Sequence, residues 1–546
     1  MLESSERIKM SISQERLTVM NKTIGQVLNE VVEKYPENMA LIYPDLNIRY
    51  SYETFLSEIG RVSRGFIKIG IKIGDKVALW APNIPEWIIS QMALAKIGAI
   101  LVPVDPGAGR EDLKYILQQS GARYIVMAKG LEEEEYVSML SGIAHELSLK
   151  HVVVIGETRA SDMISWQELV DMGGKMDSHI LSERENEIRP NYPVAIMYTS
   201  GTTGKPKGVV LDHCGLINKS IFSAHRQGLV NQDRLCLFFP LFHMFGNTCI
   251  TLTGIFKGAT IVMPCKIFEP SSILSAIYRE KCTAIYGSPS MLISLIDHGD
   301  FKPEEWKTLS KGTIGGAPCP AELMRRLAED IGVSDITVAY GITETSSWIT
   351  MTRPEDPLDL RVSTIGTALE CNEVKILDPI SGEGLPADTQ GELCTRGFLM
   401  KGYYKMPAAT ASAIDKDGWF HSGDLGEMNE EGYVKITGRV KDVIVRNGIE
   451  IYPTDLEEVI YKLPGVSEVQ VFGFPHPGKG HEVAAWVKLK EGSELSLEDL
   501  VKYGKDSIHK DKEPHYYKLV KEFPMTRSGK VQKFRLAEMA VEEYLE

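Results

Sequence analysis

The run Tyr198-Thr199-Ser200-Gly201-Thr202-Thr203-Gly204-Lys205-Pro206-Lys207-Gly208 gathers three glycines, four Ser/Thr hydroxyls and two lysines in one short stretch. Glycines let backbone N–H groups approach an anion without Cβ interference, hydroxyls add donors and lysines add positive charge, so the stretch is suited to holding phosphate. It departs from the Walker A pattern, because only two residues separate Gly201 from Gly204 and Pro206 follows Lys205. Read alone, the stretch also fits a polar hairpin.

Five other places carry residues able to do chemistry. Tyr340-Gly341-Ile342-Thr343-Glu344-Thr345 follows the apolar Ile336-Thr337-Val338-Ala339, which sets an aromatic, two hydroxyls and a carboxylate at a strand end, where open α/β sheets bind ligands. The ring can stack on a base, a hydroxyl can bond phosphate and Glu344 can hold Mg2+; a core tyrosine and a helix-capping glutamate are the plain alternative. Asp424 in Ser422-Gly423-Asp424-Leu425-Gly426 is placed either to grip ribose hydroxyls or to close an Asx turn. Gly438-Arg439-Val440-Lys441-Asp442 fits a hinge, a ribose or phosphate contact, or a solvated turn. Lys530, on the Gly-flexed turn of Pro524-Met525-Thr526-Arg527-Ser528-Gly529-Lys530, can bring a point charge to a developing phosphate oxyanion or remain a surface lysine. His243 sits among the apolar neighbours Phe239 to Gly246, as a satisfied core histidine would.

These residues need a scaffold, and its outline is legible. Val194-Ala195-Ile196-Met197 and Val209-Val210-Leu211 read as strands flanking the phosphate stretch. Helical spacing from Ile88 to Ile97 alternates with β-rich runs at Val77–Trp80 and Ile100–Pro103, which predicts crossover units on mostly parallel sheets. The alternation resumes with strands at Ala259–Met263 and Thr283–Tyr286 and a helix over Pro320–Ile331. Short strands and Gly/Pro turns between Thr364 and Tyr403 predict a β-rich subdomain, and a helix at Asp455–Ile460 with a strand at Val469–Phe472 predicts a compact α+β segment at the C-terminal end.

The 546 residues, 43% hydrophobic and 25% charged, allow large cores without stapling. A net charge of −14 opposes non-specific attraction to nucleic acid or an anionic bilayer. The eight cysteines form no CxxC pair and read as free thiols of a reducing compartment, hence cytoplasmic. No signal peptide is read at Met1–Met20, and the apolar stretch from Val77 to Val104 is too interrupted to span a bilayer.

In order and spacing, the segments 198–208, 340–344, 422–424, 438–448 and 524–530 resemble five motifs of the superfamily of AMP-forming acyl-CoA synthetases, nonribosomal-peptide adenylation domains and luciferases, over nearly the whole chain. The resemblance implies a large N-terminal adenylate-forming α/β domain, residues 1–440, and a small mobile α+β lid, residues 441–546. It implies a carboxylate activated by ATP with Mg2+ to an acyl-adenylate, then captured by the thiol of CoA. Thr199, Ser200, Gly201, Thr202, Thr203, Gly204 and Lys207 would cradle the phosphates. Tyr340 and Gly341, with Gly316, Ala317 and Pro318, would pack on adenine; Thr343 would contact the α-phosphate, Glu344 would hold the metal, and Asp424 and Arg439 would fix the ribose. Lys530 would be the catalytic lysine, assisted by Glu344 and Thr199, with Lys441 as the hinge. His243 and Gly448 would line the CoA tunnel, His243 as its gate. Tyr286, Gly287, Gly315, Ser346 and Trp348 would line the acyl pocket, sized for a short, medium-chain, cyclic or aromatic acid. Lys375-Ile376-Leu377, Gly391 to Gly397 and Gly402-Tyr403-Tyr404 look most like medium-chain acyl-CoA ligases, although Gly448-Ile449-Glu450-Ile451-Tyr452-Pro453 departs from the Gly-Glu-Asn-Ile-Tyr-Pro form common among them. A carrier-protein thiol as acceptor, a luciferase-like oxygenase and a non-enzymatic nucleotide-binding module are the alternatives, and a homodimer is compatible with the reading.

Overall fold

A computed structural model describes residues 17–131, 135–158, 160–199, 205–477, 480–525 and 531–545. The chain forms two compact units, one of residues 1–373 with 396–414, the other of 374–395 with 415–546.

The first unit is built on two sheets. In the eight-stranded sheet, Pro193–Thr199, Ile100–Val104, Lys76–Trp80, Tyr124–Met127, His151–Val154 and Met163–Ser165 run parallel, in that spatial order. Lys207–Asp212 and then Gly402–Tyr403 extend it antiparallel at one edge. The nine-stranded sheet has a parallel centre, including Ala284–Gly287, Lys311–Gly315 and Asp335–Ile342, and antiparallel strands at both edges. Helix Tyr52–Lys68 packs on strands Met39–Tyr43 and Ile48–Ser51 of the second sheet, helix Pro85–Ile97 on strands Lys76–Trp80 and Ile100–Val104 of the first, and the two helices pack on each other. Nearly every residue of Pro85–Ile97 is buried, as expected of a helix covered on all sides; Lys96 survives there because it is ion-paired with Glu185.

The second unit contains a four-stranded sheet of Glu373–Leu377, Gly391–Arg396, Phe420–Met428 and Val434–Arg439. Its other sheet carries Val466–His476 against Gly480–Leu489. Alternation along this pair puts Val469, Val471, Val483, Ala485 and Val487 in one core and Phe472, Phe474, Ala484 and Trp486 in another, so both faces of the ribbon are covered.

The expected strands and helices occur, with ends moved by one to a few residues. The helix expected over Pro320–Ile331 begins as an α-helix, Ala321–Arg325, and finishes with wider turns over Arg326–Ile331 before Gly332.

Candidate active site

Paired strands flank the phosphate stretch, Tyr198 opposite Gly208 and Thr199 opposite Lys207. Ser200, Gly201, Thr202, Thr203 and Gly204 lie outside the described residues. Just before the second strand, the Tyr115 hydroxyl donates to the Pro206 carbonyl at 2.8 Å, and Lys205 Nζ stands 5.4 Å from the Tyr115 ring centre. Burial pushes the Tyr198 phenol well up, so it is a neutral donor to Gln119.

Lys207 connects these strands to the expected metal ligand. Its Nζ lies 4.3 Å from the Tyr403 ring centre, a cation–π distance. The Tyr403 hydroxyl donates to Glu344 Oε1 at 2.7 Å, and the Met400 N–H donates to the Glu344 carbonyl at 2.7 Å. Burial, then the neighbouring Glu344 charge, holds the Tyr403 phenol protonated. Tyr403 is brought there by its strand, where it pairs with Val209 beside Lys207. One carboxylate oxygen is thereby oriented by a neutral donor. A carboxylate oxygen donor beside a lysine suits a hard cation such as Mg2+.

The adenine and acyl candidates converge for a topological reason. Ala284–Gly287, Lys311–Gly315 and Asp335–Ile342 are adjacent parallel strands, with Gly287 opposite Ile314 and Gly315 opposite Ala339. Their C-terminal ends therefore lie at one edge of the sheet, which brings together Tyr286, Gly287, Gly315, Gly316-Ala317-Pro318, Tyr340 and Gly341. Trp348 returns on the antiparallel strand Ser347–Met351, opposite Gly341. A Cβ on Gly315 would sit 2.8 Å from Trp348 Cη2 and 3.0 Å from the Ala339 carbonyl oxygen, so glycine is what allows the indole to lie against this strand end. Tyr286 is fully buried. Ser346 Oγ packs against Gly215 at the start of helix His213–Arg226.

An aromatic series runs from the expected gate to Trp348 at these strand ends. The His243 ring is 5.4 Å from Phe239, Phe239 is 4.6 Å from Phe245, and Phe245 meets Trp348 edge-on at 5.0 Å. The Phe245 N–H donates to His243 Nδ1 at 3.2 Å. Asn83 pins the preceding turn, donating to the Phe239 carbonyl at 3.0 Å and accepting from the Leu241 N–H at 2.9 Å.

In the second unit, Asp424 and Arg439 face each other across antiparallel strands. Arg439 Nε donates to Asp424 Oδ1 at 2.5 Å, with Asp424 buried and Arg439 partly exposed. Lys441 follows in a single exposed 3₁₀ turn, Val440–Asp442. Asn447 and Gly448, at φ 54° and 79°, make the two-residue turn between Ile444–Arg446 and Ile449–Ile451, the left-handed geometry that suits a tight hairpin. Lys530 lies outside the described residues. On either side of it, Met525 and Val531 form an antiparallel bridge, and Lys533 donates to Glu457 Oε1 at 2.7 Å and to the Val471 carbonyl at 2.9 Å.

Three contributors went unread in the sequence. Tyr403, noted in the sequence only as part of Gly402-Tyr403-Tyr404, is 59 residues from Glu344, and nothing local shows that the two meet. The aromatic link through Phe245 likewise needs the tertiary fold. Lys219 did carry a signal: it falls at core spacing from Leu216 and Ser223 on helix His213–Arg226. Fully buried, its Nζ donates to the Trp348 carbonyl at 3.0 Å and to Asn372 Oδ1 at 2.6 Å, and burial lowers its pKa to about 8.

Comparison with known proteins matches residues 28–404 to the AMP-binding enzyme family and residues 455–530 to the AMP-binding enzyme C-terminal domain. A Bacillus subtilis (strain 168) protein named as an acyl-CoA synthetase, YngI, is 40% identical over 541 residues, covering 96% of this chain and 98% of its own. The human mitochondrial medium-chain acyl-CoA ligase ACSF2 is 33% identical over 537 residues, covering 95% and 87%. Among solved structures, ATP-bound MatB from Rhodopseudomonas palustris superposes with a TM-score of 0.86 at 25% identity, covering 96% of this chain and all of the other.

Proposed function

We propose, for a chain that belongs to the AMP-binding enzyme family and is an AMP-forming acid–CoA ligase, that the acid is compact and that the residues above divide the work as follows. A carboxylate is a poor acyl donor because its charge repels nucleophiles. One carboxylate oxygen attacks the α-phosphorus of ATP, the α–β phosphoanhydride bond breaks, and pyrophosphate leaves. The sulfur of CoA then attacks the acyl carbon, its proton passing to solvent, and the acyl–oxygen bond breaks with AMP as leaving group. Both steps develop charge on oxygen, so fixed positive charge and donors at those oxygens lower the barriers.

Thr199, Ser200, Gly201, Thr202, Thr203, Gly204 and Lys207 hold the β- and γ-phosphates, and Lys207 is kept in place by the Tyr403 ring. Tyr340, with Gly341 and the Gly316-Ala317-Pro318 turn, binds adenine, Thr343 the α-phosphate, and Asp424 with Arg439 the ribose. Glu344, oriented by the Tyr403 hydroxyl, would hold Mg2+, which supplies charge neutralisation at the phosphates when bound. Lys530 approaches the reacting carboxylate and α-phosphate in the first step. Residues 441–546 then turn about Lys441 against residues 1–440, withdrawing Lys530 and bringing the Gly448 turn to the CoA tunnel gated by His243, so that one lid serves two half-reactions. Trp348 over Gly315 bounds the acyl pocket and favours short, medium-chain, cyclic or aromatic acids. The enzyme works in the cytoplasm; its eight cysteines are all free thiols, and among the described residues no helix is long and apolar enough to cross a membrane.

The observation that carries this reading is the Lys207–Tyr403–Glu344 contact series, which sets an anion-binding lysine and a carboxylate on one tyrosine. The test is mass-spectrometric product analysis with ATP, Mg2+ and linear, cyclic and aromatic acids, with and without CoA. Acyl-CoA with AMP and pyrophosphate is expected, from compact acids first. An acyl-adenylate that never transfers to CoA would replace the CoA reading with another acceptor.

A further inference from the structure

The four-stranded sheet of the second unit carries, beside Ser422-Gly423-Asp424, a side-chain cluster to which the reaction proposed above assigns no role. Glu392 and Cys394, two residues apart on Gly391–Arg396, project from one face, and His421 is the direct cross-strand partner of Cys394. Glu392 Oε2 lies 2.8 Å from His421 Nδ1 and Cys394 Sγ lies 3.5 Å from the same nitrogen. A ring nitrogen has one proton or one lone pair, so it cannot serve both neighbours well at once; a cation between the three satisfies all of them. Their ligating atoms lie within 4.8 Å of one another, the one such group of His, Cys and acidic residues among the described residues. Bonds of about 2.0–2.3 Å to one tetrahedral zinc would set them roughly 3.3–3.8 Å apart, so the Glu392–His421 pair opens from 2.8 Å while the Cys394–His421 separation of 3.5 Å already fits.

The surroundings are arranged as a metal site's are. Glu392 Oε1 accepts the Gly423 N–H at 2.9 Å, which leaves Oε2 turned to the imidazole. Asp415 Oδ1 accepts the Asp417 and Trp419 N–H groups at 2.9 and 2.8 Å, while Asp415 Oδ2 lies 3.6 Å from His421 Nε2. In this arrangement the proton sits on Nδ1 towards Glu392; a small turn of the ring brings Nε2 within hydrogen-bond distance of Asp415, so that the proton can be held there while Nδ1 ligates.

We propose that Glu392, Cys394 and His421 bind one Zn2+ through carboxylate, thiolate and Nδ1, with water in the fourth position and Asp415 orienting the imidazole. The mixed S, N and O donor set favours zinc over magnesium or calcium. On binding, the Cys394 thiol proton passes to solvent and the thiolate enters the coordination shell.

The test uses the full chain, dialysed against chelator and free of nucleotide. Calorimetric titration with Zn2+ alone should give one site per chain, and Co2+ in its place should give a thiolate-to-cobalt charge-transfer band. C394S should abolish that band. H421Q, at a position about 29% exposed and therefore tolerant of replacement, should weaken Zn2+ binding at least 100-fold with an unchanged melting temperature. D415N should bind one Zn2+ about 10–100-fold more weakly. The proposal is overturned if the wild type shows neither heat nor band, if the band persists in C394S, or if H421Q binds as tightly as the parent. Should C394S fail to fold, H421Q and D415N decide the question.

Discussion

Lys219 allows the physical account of the acyl pocket to be tested without touching the chemistry. Its ammonium is fully buried, and the drop in pKa from 10.5 to about 8 is caused first by burial, with the Cys371 and Cys249 thiols opposing it weakly. At 1.36 kcal/mol per pH unit, the charged form is disfavoured in the folded chain by about 3 kcal/mol. The folded pKa is depressed, so between about pH 8 and 10.5 the unfolded chain binds more protons than the folded one, and stability rises with pH. With those two values the gain over pH 7 is about 1.3 kcal/mol at pH 9 and about 2.5 kcal/mol at pH 10. Lys219→Met removes the titration and leaves Asn372 Oδ1 without its lysine donor, a cost of roughly 1–3 kcal/mol. The Trp348 carbonyl keeps the Asn372 amide at 3.1 Å, so its strand stays anchored. The variant is therefore expected near wild-type stability at pH 7 and progressively below it towards pH 10. Urea unfolding of both proteins at pH 7, 8, 9 and 10, followed by tryptophan fluorescence, measures the difference and cancels the tyrosines and cysteines common to both. Parallel stability curves across that range would refute the assignment of a buried, charged Lys219.

Lys530→Ala should lower acid-dependent ATP–pyrophosphate exchange by roughly 10²–10³-fold, the cost of one charge lost from a developing oxyanion, while transfer from supplied acyl-adenylate to CoA is much less affected. Tyr403→Phe keeps the ring beside Lys207 and deletes the hydroxyl on Glu344; about 1.5–3 kcal/mol for a charge-assisted hydrogen bond corresponds to roughly 10–150-fold in kcat/KM, read by pyrophosphate release across a Mg2+ titration. Gly315→Ala drives a methyl into the Trp348 ring and should raise KM for the preferred acid. Trp348→Ala should shift chain-length preference towards longer acids in competition assays, at about 3–5 kcal/mol of stability for an emptied indole site.

Much of this protein was legible in its residues. The alternation of apolar runs with helical spacing announced parallel sheets because strand and helix periods are local, and helix Pro85–Ile97 and strand Lys76–Trp80 lie where that alternation places them. Thr199, Lys207, Tyr340, Glu344, Asp424 and Arg439 were singled out as candidates because five motifs, each ambiguous alone, stand in one order along the chain and together resemble one superfamily. The pairing of Asp424 with Arg439, 15 residues apart on one hairpin, is nearly local as well. What only the tertiary structure decided was which distant groups meet. Tyr403 reaches Glu344 because an edge strand is added beside Lys207–Asp212. Phe239 and Phe245 join His243 to Trp348 because Asn83, from a different crossover, fixes the intervening turn. Gly315 proves obligatory only once Trp348 lies upon it. Glu392, Cys394 and His421 show no metal-ligand spacing along the chain and meet only through strand register, while Asp415 reaches His421 from the turn before its strand. Periodicity and motif chemistry are written within a few residues, whereas register and packing depend on contacts across tens to hundreds of residues, which a linear reading does not contain.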